Sequence, residues 1–195
     1  EKQLLEAAQQ DSGAPSGTVT EEVNRARALF REATSVIRNM MEDVRVGKQV
    51  EVASMDPLAE RMVQSAFRNH HALTSISRIK TKDEYTFMHC VSVAGLLTTF
   101  GRELDLPEDD IHQLAVGGLV HDIGKTLVPN EVLNKPGKLE PDEFVVMKGH
   151  VDYSREILAD QTDAILDVWY GFVASTPELV VYFGDARTGQ PDVAY

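Results

Sequence analysis

The chain has 195 residues, 43% of them hydrophobic, with a formal net charge of −12 and a pI near 4.9. That acidity excludes a broad basic face for gripping a nucleic-acid backbone, so no nucleic-acid polymer is expected as a partner. The one cysteine, Cys90, excludes an intrachain disulfide and points to a reducing, cytoplasmic setting. No segment approaches the roughly 20 apolar residues of a membrane span; the longest apolar run, Val91 to Phe100, is interrupted by Ser92, Thr98 and Thr99.

Residues 1–19 are polar and close on Asp11-Ser12-Gly13-Ala14-Pro15-Ser16-Gly17, a linker-like composition. The start, Glu1-Lys2-Gln3, is neither an initiator methionine nor a signal peptide, and it reads as an internal piece of a longer chain. Thr20 then caps a helix whose first turn holds Glu21 and Glu22, where carboxylates suit the helix dipole. Val23, Ala26, Leu29, Phe30, Ala33, Ile37, Met40, Met41 and Val44 recur at helical spacing. This is a packing helix of a bundle; the alternative is that the 20–46 helix serves a homodimer or a signalling partner.

A second helix is expected from about Asp56 to His70, with Leu58, Met62, Val63, Ala66 and Phe67 on one face. Leu73, Ile76 and Ile79 continue the pattern. A nearly all-round apolar helix follows from about Glu84 to Leu104, the kind found in the middle of a domain. Leu106-Pro107-Glu108-Asp109-Asp110 is a helix start. That helix carries Ile111, Leu114, Ala115, Leu119 and Val120 into His121-Asp122. Asn134-Lys135-Pro136-Gly137 marks a turn, and Pro141-Asp142-Glu143 opens a helix through Met147 toward Leu158. No strand alternation precedes residue 178, so the predicted class is an all-α helical bundle.

Three segments offer metal ligands: His89, the pair His121-Asp122, and His150. Imidazole nitrogens with a carboxylate suit iron, manganese, zinc and related divalent ions. A carboxylate has two oxygens and can bridge two ions, which together activate water and neutralise charge on a phosphodiester. His70, His71 and His112 are read as surface or hydrogen-bonded residues, and Cys90 as a small buried residue on an apolar helix.

The string Leu119-Val120-His121-Asp122-Ile123-Gly124-Lys125 resembles the signature of the HD superfamily of metal-dependent phosphohydrolases. The flanking text resembles its HD-GYP class. Asp83 to His89 looks like that class's first metal-ligand helix, Leu127 to Leu139 like its loop after the HD pair, and Glu143 to His150 like the helix of its next histidine. The resemblance covers about residues 50–158. It implies metal ligation by His89, His121, Asp122 and His150, with Asp122 as the bridge between two ions, iron or manganese with zinc as an alternative. It implies Lys125 beside the substrate phosphate, so Asp122 and Lys125 are the expected catalytic residues. The implied reaction is hydrolysis of a phosphodiester of cyclic di-GMP, a cyclic dinucleotide, to the linear dinucleotide and GMP. Some members place a glutamate one turn before the first histidine for a third metal; this chain has Tyr85 there, which favours two ions.

The class continues with a histidine–glutamate pair, a Gly-Tyr-Pro loop and a late aspartate, none of which is recognisable here. Asp160, Asp163 and Asp167 offer carboxylates that spacing does not separate. The bundle is therefore expected to be incomplete at its C-terminal end. From Ala164 to Leu179, with Trp169-Tyr170, the chain resembles early helices of protoglobins and globin-coupled sensors; the alternative is an aromatic helix that caps the bundle. No histidine follows His150 to hold an iron proximally, so haem is not expected. The expected division is a 1–19 linker, a 20–82 helical region, an 83–160 metal-binding core and a 161–195 globin-like or capping segment. Two other readings stay open: a non-catalytic helical signalling module, and an HD phosphohydrolase acting on another nucleotide.

Overall fold

The computed structural model describes residues 19–77, 85–158 and 161, and no strand occurs among them. The expectations placed on Ile79, Asp160, Asp163, Asp167, Trp169-Tyr170 and residues 1–18 of the 1–19 linker lie outside the described residues, as do the side chains of His70 and Tyr85. The chain belongs to the all-α class predicted from its periodicity.

Helix α1 (Val19–Arg45) buries the stripe that its spacing announces. Ala26, Leu29, Phe30, Ala33, Ile37, Met40, Met41 and Val44 all enter the common core. Each large aliphatic or aromatic side chain buried this way contributes about 1.5–3 kcal/mol. At its start the buried Glu22 carboxylate receives Arg68 Nε at 3.1 and 3.2 Å and pairs with Arg25, so the charge is compensated. A short 3-10 turn (Val52–Met55) leads into α2 (Asp56–Arg68), whose first turn contains Pro57. Gln161 returns to this point: its Oε1 accepts from Val52 N at 2.8 Å and its Nε2 donates to Val50 O at 3.0 Å.

The expected 56–70 helix breaks at Asn69, which is extended (φ −162°, ψ 99°). The Asn69 side-chain oxygen accepts from His71 N at 3.0 Å and its carbonyl from Ala72 N at 3.1 Å, so it starts a new helix, α3 (His70–Ser77). Leu73 and Ile76 of that helix are buried as the pattern requires.

Helices α4 (Tyr85–Glu103) and α5 (Glu108–Val120) form the centre of the bundle. α4 buries Cys90, Val91, Ala94, Thr98 and Thr99, and the two threonine hydroxyls donate to the Ala94 and Gly95 carbonyls within the helix. Its Leu96 and Phe100 are exposed, so the helix is covered on fewer sides than its composition implied. α5 crosses it at Gly118, where a Cβ would stand 2.5 Å from Ala94 Cα. Only glycine permits that approach.

After α5 come a 3-10 turn (Ile123–Leu127), α6 (Asn130–Leu133) and the predicted turn, where Gly137 takes φ +111°. The helix expected from Pro141 to Leu158 is broken at Gly149 into α7 (Pro141–Lys148) and α8 (His150–Leu158). α7 buries no residue and exposes Phe144, Val145 and Val146. α8 instead packs Leu158 into the core. One apolar cluster thus runs from Ala26 to Leu158 and draws on both sides of residue 83.

Candidate metal centre

His89 lies in the first turns of α4, His121 caps the C-terminus of α5, Asp122 opens the following turn, and His150 begins α8. These four elements meet at one carboxylate. Asp122 is 2% exposed. Its Oδ2 lies 3.6 Å from His89 Nε2, 3.3 Å from His121 Nε2 and 2.6 Å from Lys125 Nζ. Its Oδ1 faces the other way, 3.4 Å from His150 Nε2. The His89 and His121 rings meet edge to face, with centroids 5.3 Å apart. Donor atoms of His89, His121 and Asp122 lie within 4.8 Å of one another, a group able to hold a metal ion.

Two imidazoles are fixed from behind. His121 Nδ1 lies 2.9 Å from the Gly118 carbonyl, and His150 Nδ1 lies 2.7 Å from that of Met147. A carbonyl only accepts, so in both rings Nδ1 carries a proton and Nε2 is turned toward Asp122, where it can donate to the carboxylate or, without its proton, offer a lone pair to a metal ion. This is the arrangement that orients metal-binding histidines. Burial would raise the Asp122 pKa, but hydrogen bonds from His121 and His150, helped by Lys125, outweigh it and hold the carboxyl well below the usual range. The anion is therefore permanent at neutral pH. The same carboxylate raises His150 above its ordinary value. The donor set and its orientation fit a divalent ion.

All five residues singled out in the sequence, His89, His121, Asp122, Lys125 and His150, come together here. His112 does not; it lies against Asp56, its Nε2 3.4 Å from the Asp56 carbonyl. His71 belongs to the α3 start. Cys90 adjoins His89 but points into the core, and burial, with the Asp122 charge added, pushes its thiol up to about 12. Four contributors escaped the sequence reading: the Gly118 and Met147 carbonyls, Gly124 and Ser154. The Gly117-Gly118 pair inside a helix, costly there unless packing needs it, was a usable signal. So was a serine four residues after His150, on the same helical face.

Fold and site together define an all-α protein with a histidine–aspartate centre of the kind that binds divalent metals. Residues 86–172 match the HD domain. A cyclic di-GMP phosphodiesterase of Pseudomonas aeruginosa is 38% identical over 140 residues, 72% of this chain and 34% of the relative. The cyclic di-GMP phosphodiesterase response regulator RpfG of Xanthomonas campestris is 30% identical over 148 residues, 74% of this chain and 38% of the relative. The 3'3'-cGAMP-specific phosphodiesterase 1 of Vibrio cholerae is 38% identical over 87 residues, 45% of this chain and 20% of the relative. The chain thus spans well under half the length of these curated relatives. No solved structure matches it.

Proposed function

We propose that the chain carries part of a metal-dependent phosphodiesterase of the HD-GYP class that hydrolyses cyclic di-GMP in the cytoplasm. The observation that carries the reading is the Asp122 carboxylate, buried and met by three imidazoles, two on one oxygen and one on the other. That division favours two ions, iron or manganese, both of which Asp122 would help to hold. His89 and His121 would hold one side and His150 the other. Divalent ions held there would activate water and neutralise charge on a phosphodiester.

The chain's own residues divide the remaining work. Asp122 keeps its charge because three donors face it, so it needs no proton release before ligation. Lys125 bonds Oδ2 at 2.6 Å, and its ammonium, a compact point charge at the edge of the site, would suit a substrate phosphate. Residues 20–82 would serve as the structural support of the site. The apolar stripe of α1 is consumed inside the chain, so a homodimer or signalling partner at 20–46 would have to use its outer, charged face.

The relatives' names favour cyclic dinucleotides over other nucleotides and leave a second reading, 3'3'-cGAMP as substrate. Metal analysis of the purified protein, with hydrolysis of both cyclic dinucleotides followed by chromatography, tests the proposal. The expected result is bound iron or manganese that Asp122→Asn removes, with slow or no product from this chain alone and turnover in a version extended by the C-terminal ligands and Gly-Tyr-Pro loop of the class. Metal-free protein that also fails to take up added manganese would overturn it.

A further inference from the structure

We propose that Ser154 is a positioning residue of the metal centre, setting the separation between the Asp122 turn and the helix that bears His150. The inference rests on the metal reading above. Ser154 is buried one helical turn after His150. Its Oγ accepts from Gly124 N at 2.9 Å and donates to the His121 carbonyl at 3.2 Å. One hydroxyl therefore clamps both ends of the His121–Gly124 segment, with Asp122 between the clamped points.

The close fit around it shows what the clamp controls. A Cβ on Gly124 would stand 2.0 Å from the His150 carbonyl, 2.5 Å from Ser154 N and 2.7 Å from Ser154 Oγ. Turn and helix therefore meet backbone to backbone. The direction of the His150 ring is already set by the Met147 carbonyl behind it, and that of His121 by Gly118. What those bonds leave open is the distance from α8 to the turn, and hence from His150 to Asp122 Oδ1. Ser154 bonds across that gap. It also satisfies the His121 carbonyl, one of the groups that the end of α5 leaves without a partner in the helix. Serine is the smallest side chain that supplies a donor and an acceptor from one atom. Ligand bonds of about 2–2.2 Å tolerate little drift in such a spacing.

The test is cobalt(II) titration of the full chain, followed by visible absorption, in wild type, Ser154→Ala and His150→Ala. The expected result is binding weaker by about 10-fold or more in Ser154→Ala, with its absorption bands displaced toward those of His150→Ala. Helical circular dichroism should stay unchanged. A purely structural serine would lower the unfolding temperature of the metal-free protein yet leave the affinity and bands of wild type, and that outcome overturns the proposal. If Ser154→Ala loses its helical signal, Ser154→Cys, which nearly keeps the volume and weakens both bonds, is read instead; wild-type bands there also overturn it. Absence of cobalt binding in wild type would sink the metal reading itself, a result separate from either variant's behaviour.

Discussion

Asp122 and His150 make opposite demands on protons, and their pairing gives the site a pH signature. The carboxylate is depressed, so its contribution to stability is present above the ordinary carboxylate value of about 3.9 and is lost as pH falls through the depressed one. His150 is raised by the hydrogen bond to Asp122. Its contribution is fully present below the ordinary histidine value of about 6.5 and is lost as pH rises through the raised one. In chelator, wild type should therefore gain unfolding temperature over His150→Gln at pH 6 and lose that advantage by pH 8.5. Ligation needs the neutral ring, so added manganese should reverse the trend and stabilise wild type more at pH 8.5. Thermal unfolding of both proteins at both values checks this; an advantage in chelator that grows with pH would refute the ion-pair assignment.

At the scale of helices, the site depends on how closely α4 and α5 approach. His89 and His121 belong to these two helices, and their crossing is set by Gly118 against Ala94. The backbone of Ala94 cannot yield as a flexible side-chain end would. Gly118→Ala should force the helices apart at a cost of about 1–3 kcal/mol, the range for overpacking a filled core. For a chain of this size that corresponds to a fall of roughly 2–12 °C in unfolding temperature. Calorimetry on the metal-free protein measures it, and an unchanged transition would show that the crossing is looser than its distances state. Periodicity alone located these helices to within a few residues, yet it carried the pattern from α2 into α3 without marking a new start and joined α7 to α8. The first break turns on the Asn69 side chain, which accepts from His71 N, and hydrophobic spacing encodes neither break.

Over the whole molecule, the charge of −12 sets what can reach the site. A polymer of phosphates needs many cations along its path, and its affinity falls steeply with salt as counterions are displaced. A small cyclic dinucleotide needs only a local positive centre, which metal and Lys125 would provide. A fluorescent single-stranded 20-nucleotide DNA should therefore show no anisotropy change with micromolar protein at 50 mM salt. Binding that weakens steeply as salt rises would expose a basic path and overturn the assignment of a small anionic ligand. No helix among the described residues is long and apolar enough to cross a membrane.

The sequence by itself determined the helical class, the inward stripe of α1, the burial of Cys90 and the four residues that gather at Asp122. The first three are written in side-chain chemistry, since apolar spacing says which face is buried; the residues at Asp122 were marked by the histidine–aspartate pair after an apolar helix and by the resemblance that it carries. Only the tertiary structure decided that His89 and His121 share one carboxylate oxygen while His150 takes the other. It also decided that the Gly118 and Met147 carbonyls set the rings and that Ser154 ties the turn to α8. Carbonyls are common to every residue, so their use leaves no mark in a sequence. Periodicity says which face of a helix is buried, but not which other face it meets; that depends on the crossing distance, which here is set where a glycine lets two backbones touch.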